Sequence, residues 1–118
     1  MPIFEVESWK IKQGKEKEHT EWMRRWLQWV KTHRDLFPEW KSVRYYSKQF
    51  AGPETGYHFV VWEYENLAAF EQYKARRAGY TGPYEEYKKN DPYYQNVFDK
   101  TTMRMETWRD IDRDLWIE

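Results

Sequence analysis

Glu5, Glu7, Trp9 and Ile11 alternate along a strand-like segment, so two carboxylates and an indole share one face. Carboxyls set among rings lose hydration and repel each other, which lifts at least one of them toward the range where it can exchange a proton near neutral pH. The structural alternative puts Glu5 at a wet rim and pairs Glu7 with an arginine such as Arg44 or Arg104. His58, Trp62 and Tyr64 share a parity on a second strand-like segment, and Arg104 lies on a third. Together they form a candidate constellation. Glu7 or His58 would take a proton from an acidic ligand, Tyr64 or Arg104 would hold the resulting anion, and Trp9, Trp26 and Trp62 would wall the pocket.

Other chemistries lack their residues. The chain has no cysteine, hence no disulfide, thiolate nucleophile or cysteine-based metal site. His19 and His33 sit fourteen residues apart on one helical segment, roughly 21 Å at 1.5 Å per residue, and cannot share a metal. Asp110, Asp112 and Asp114 alternate like calcium ligands, but the sixth-position glycine and the twelfth-position glutamate of such a loop are missing, so the segment is read as a solvated tail. No nucleophile elbow or phosphate loop occurs. The expectation is no metal and no cofactor.

The elements that must position these residues follow from periodicity. Ile3 to Ile11 reads as a strand closed by Gln13-Gly14. From Lys15 to about His33, Trp22, Met23, Trp26, Leu27, Trp29 and Val30 mark one broad helical face, ended by Leu36-Phe37-Pro38. That stripe is expected to be core, with one or two rings turned to the pocket opposite Trp9 and Trp62. Ser42 to Phe50 and Tyr57 to Tyr64 read as an antiparallel pair. Asn66 is the expected N-cap of a helix running to Ala78, with Gly79 as its stop. Asp91-Pro92 opens a short helix over Tyr93 to Phe98, and Thr101 to Trp108 is the fourth strand. The order β-α-β-β-α-β, with right-handed crossovers, predicts an α+β, ferredoxin-like four-stranded antiparallel sheet with helices on one face. The other face, assigned Phe4, Phe59 and Met105, needs a second layer.

Composition sets the frame. Eight Trp, ten Tyr and six Phe occur among 118 residues, although the mean hydropathy is −1.16. Each buried ring removes roughly 150–250 Å² from water, so rings replace the missing aliphatic core. Twenty basic residues balance twenty acidic ones, which argues against the basic field that nucleic-acid or membrane-surface binding requires. No apolar run suits a signal peptide or a membrane span. The chain is therefore read as one cytoplasmic domain over residues 1–118, with its core at 3–108 and a charged tail at 109–118.

Lys12-Gln13-Gly14-Lys15-Glu16, Trp62-Glu63-Tyr64 leading into Ala68-Ala69-Phe70, and Asp91-Pro92-Tyr93-Tyr94-Gln95 resemble the dimeric α+β barrel superfamily, in particular its antibiotic-biosynthesis-monooxygenase and NIPSNAP-like families. The resemblance implies a homodimer whose sheets pack face to face, with a ligand cavity between sheet and helices in each subunit. It also turns the Glu7 face toward the helices. Cofactor-independent oxygenases, haem-degrading enzymes and isomerases occur among the members. In the haem-degrading branch the matched positions carry asparagine, tryptophan and a haem-ligating histidine, where this chain has Glu7, Tyr64 and Tyr73, so haem breakdown is not expected. The resulting expectation is a homodimer that binds a small aromatic or polycyclic organic molecule and acts as a cofactor-independent oxygenase or isomerase. A non-catalytic ligand- or partner-binding module is the alternative.

Overall fold

Alternation in the first segment becomes a central strand because both its edges find partners. In the computed structural model, which describes residues 1–118, β1 (Ile3–Ile11) pairs antiparallel with β3 (His58–Tyr64) on one side and β4 (Phe98–Arg109) on the other. β2 (Ser42–Ser47) adds to β3, giving the sheet order β2-β3-β1-β4. The sheet is open, antiparallel and ferredoxin-like. A register shift between Ser8 and Lys10 marks a bulge against β4.

Helix α1 (Glu16–Thr32) starts with Glu16 and Glu18 in its first turn and has Lys31 in its last, both favourable to the helix dipole. It buries His19, Met23, Trp26 and Val30 along one stripe against the sheet. In α2 (Leu67–Arg76) the Asn66 side chain accepts the Ala69 N–H at 2.8 Å, the expected cap. Gly79, at φ 72°, turns the chain where a β-carbon would be disfavoured. Unforeseen is α3 (Tyr84–Asn90), whose Tyr84, Tyr87 and Asn90 are buried. Asn90 Oδ1 accepts the Arg25 Nε–H at 3.3 Å and so ties α3 to α1. The turn expected over Tyr93 to Phe98 shrinks to Pro92–Tyr94, because β4 begins earlier, at Phe98.

Register divides the sheet into two faces. Ile3, Glu5, Glu7 and Trp9 stand opposite Tyr64, Trp62, Val60 and His58, all toward the helices. Met105 stands opposite Glu7 and therefore also faces the helices, which corrects its assignment to the open face. Phe4, Phe59, Tyr46 and Trp108 lie on the open side. There Tyr46 stacks on Phe59 with centroids 5.2 Å apart, and Tyr46 and Trp108 are exposed. Residues 111–118 are exposed, as expected of a solvated tail, while Asp110 is buried and accepts from Arg113 at 3.0 Å, whose guanidinium also approaches Glu63 at 3.6 Å. No helix is long and apolar enough to cross a membrane.

Candidate functional site

Between the sheet and helices α1 and α3 lies a cavity of about 270 Å³. β1 contributes Glu7 and Trp9, β3 contributes Val60 and Trp62, and α1 contributes Met23 and Trp26. The far wall comes from the second crossover, with Arg77, Tyr80, Tyr87, Asp91, Pro92, Tyr93 and Tyr94, while Phe98, Met103 and Met105 close the β4 side. Trp9 stacks on Phe98 with centroids 4.1 Å apart, and Trp26 meets Trp62 edge-on at 5.9 Å. Such walls accept a flat apolar body.

The structural alternative for the two carboxylates is reversed. Glu5 is the buried, paired one: it is 4% exposed and meets Lys74 Nζ at 2.9 Å. Glu7 has no ion-pair partner and no hydrogen bond within the chain, and faces the cavity. Burial first, then the charge of nearby Glu5, pushes its carboxyl up to about 7. Arg44 and Arg104 cannot reach it, since Arg44 stands opposite Val61 and Arg104 opposite Ser8, both on the open face. Arg104 instead pairs with Glu54 from the β2–β3 hairpin and with Glu106 at 3.0 Å. Its assignment beside the ligand is thereby corrected.

Glu7, Trp9, Trp26 and Trp62 come together in the cavity wall; His58 and Tyr64 do not. Both have the expected parity, but they occupy the two ends of β3. At about 3.3 Å per residue the six steps between them span roughly 20 Å, too long for one small pocket. Tyr64 is fully buried, and its hydroxyl accepts the Trp40 Nε1–H at 3.1 Å. Burial and the charge of Glu5 raise its phenol far above the ordinary value. His58 bonds through Nδ1 to the Tyr45 hydroxyl and meets His19 edge-on, with ring centroids 5.2 Å apart. Its pKa is lowered by burial. His19 accepts the Trp9 Nε1–H at 2.8 Å through Nε2 and is pushed down to about 4 by burial and by His58. The two imidazoles thus meet behind Trp9, the basicity of each lowered by burial.

Two polar cavity groups, Asp91 and Arg77, escaped the sequence reading. Asp91 caps the Pro92–Tyr94 turn by accepting the Tyr93 N–H at 3.0 Å, and burial pushes its carboxyl up to about 6. Arg77, just beyond α2, lies 4.9 Å above the Tyr80 ring and has no carboxylate within ion-pair distance. Trp62 lines the cavity as expected, and its buried Nε1–H has no acceptor. The cavity therefore holds an acid–base group, a guanidinium and an indole donor, all with unspent bonding capacity. The dense Tyr80 to Tyr94 run was the available signal.

The fold is that of NIPSNAP and antibiotic-biosynthesis-monooxygenase-like structures. The chain is similar to a NIPSNAP family protein from Agrobacterium tumefaciens, with 13% identity, 96% of each chain covered and a TM-score of 0.68. It is also similar to a protein from Bacteroides thetaiotaomicron described as a candidate antibiotic biosynthesis monooxygenase, with 9% identity, 99% of this chain and 96% of that one covered, and a TM-score of 0.61. A third likeness is to a dimeric protein of unknown function with a ferredoxin-like fold from Bacteroides fragilis, with 11% identity, 92% and 96% covered, and a TM-score of 0.60. No protein-family model and no curated protein matches the chain.

Proposed function

We propose that this chain binds a flat aromatic molecule in the cavity and acts on it as a cofactor-independent oxygenase or isomerase, with Glu7 as the base. The observation that carries the reading is Glu7 itself: a carboxyl among rings, free of any ion pair and raised to about 7. Such a group takes a proton from a phenol or an activated carbon acid and, once protonated, adds no buried charge. Arg77 and the Trp62 Nε1–H are the cavity's free donors for the ligand oxygen on which negative charge develops. An oxygenase passes electrons from that anion to dioxygen, and an isomerase returns the proton to another carbon. Proton removal is the step common to both.

The reading includes a homodimer, because the open sheet face carries exposed Tyr46 and Trp108 and no helix covers it. Sedimentation should find twice the 14.9 kDa chain mass at micromolar concentration; a strict monomer overturns the barrel. The functional test is turnover of anthrone-like and quinol substrates under air and under nitrogen. Glu7→Gln should lower kcat by at least tenfold while changing ligand affinity little. Unchanged turnover in that variant removes Glu7 as the base, and ligand binding without turnover leaves a binding module.

A further inference from the structure

The mouth of the cavity has an electrostatic character that its walls do not. Tyr94, 39% exposed, forms part of its rim. Two lysines from different elements converge on that ring: Lys88 of α3 at 4.8 Å and Lys100 of β4 at 6.0 Å from its centroid. Lys100 also sits 4.2 Å above Tyr93, and Lys88 lies 5.7 Å from Tyr80, the ring that carries Arg77 on its other contact. Neither lysine nor Arg77 belongs to an ion pair; the pairs in the chain involve Lys15, Lys48, Lys74, Arg76, Lys89, Arg104 and Arg113.

The nearby acidic groups do not balance these cations. Glu86 is taken by Lys89 at 3.4 Å, Asp99 accepts from the Thr101 N–H and hydroxyl, and Glu5 is paired with Lys74. Glu7 lies on the central strand, in the inner wall, within electrostatic reach of Arg77 but forming no ion pair with it. Only Asp91 is within electrostatic reach of both Arg77 and Lys100. In a chain of zero net charge, three cations around one opening, none of them in an ion pair, mark a place for negative charge.

Resting on the reading that the cavity takes a flat aromatic body, we propose that its ligand is an aromatic acid, whose ring enters among Trp9, Trp26 and Trp62 and whose anionic group stays at the mouth between Lys88 and Lys100. The rings beneath the lysines hold the ammonium groups at the rim, so an incoming carboxylate meets fixed charges. Binding of this kind orients the ligand, with its acidic tail outward and its far edge toward Glu7.

The test measures quenching of tryptophan emission by 2-naphthoate and by its neutral methyl ester at low and high salt, in the wild type and in a Lys88→Gln/Lys100→Gln variant. The wild type should bind the acid about three- to tenfold more tightly than the ester at low salt, in line with two partly exposed ion pairs. The ratio should fall to about one in the double variant and at high salt, while the ester's affinity stays unchanged. Equal binding of acid and ester by the wild type overturns the anionic tail but keeps the aromatic pocket. A preference that survives in the double variant overturns the role of the lysines. If neither probe binds, the aromatic pocket and this inference fail together.

Discussion

Two halves of the same aromatic interior differ in how many of their polar groups find partners. Around Phe37, Trp40, Tyr64, Tyr73 and Tyr84 the rings are sealed and joined: Trp40 donates to Tyr64, and the Tyr84 hydroxyl donates to the Leu36 carbonyl at 2.6 Å while accepting from Arg76 at 2.8 Å. Around the cavity Trp9 and Trp26 donate to His19 and Tyr87, but Trp62 Nε1–H, Glu7 and Arg77 are all unpartnered. Buried polar groups are normally satisfied, and each orphan costs about 1–3 kcal/mol. The sealed half is thus organised for stability and the open half for something that arrives.

The comparison can be broken by substitution. The largest expected effect is Trp40→Ala in the sealed half. It removes a ring packed on Phe37 at 4.2 Å and orphans Tyr64, and should cost about 3–5 kcal/mol in chemical denaturation. Glu7→Gln should act in the opposite direction. Because the folded carboxyl is raised from 4.5 to about 7, its stabilising contribution is complete below about pH 4.5 and disappears as pH rises through 7. The variant should match the wild type near pH 4 and exceed it by about 1–3 kcal/mol above pH 7.5, read as a pH-dependent difference in Tm.

A finer contrast pairs Trp40→Phe with Trp62→Phe. Both shrink an indole, but only the first breaks a hydrogen bond. Trp40→Phe should cost about 1–2 kcal/mol more than Trp62→Phe in matched urea titrations. Equal costs would remove the distinction between the halves. The smallest effect belongs to Met105→Ala at the cavity edge, which is 62% exposed and should shift stability by less than about 0.5 kcal/mol.

Much of this arrangement was legible because a strand repeats every two residues. Parity grouped Glu7 with Trp9 and Trp62 with its strand neighbours, the resemblance turned the Glu7 face toward the helices, and the Asn66 cap and the β-α-β-β-α-β order followed from local chemistry. β4 defeated the same reasoning. Its Thr101 to Trp108 run carries apolar residues on both faces, so its phase depended on pairing with β1, and Met105 and Arg104 were assigned to the wrong sides. Parity also says nothing about distance along a strand, which is why His58 and Tyr64 were grouped with a pocket they flank. The reversal between Glu5 and Glu7 was invisible because Lys74, the partner that decides it, lies 69 residues away in sequence. Asp91 and Arg77 belong to an irregular crossover, where no period exists to assign a face.

The bond from Trp9 to His19 bears on observation as well as on packing. It joins the first strand to the first helix through a single indole proton, in a residue that is 1% exposed. Such a proton exchanges with solvent only when strand and helix separate. In a nuclear magnetic resonance spectrum of the eight tryptophans, the Trp9 indole signal is a built-in clock: its lifetime in heavy water times the opening of the seam behind the cavity.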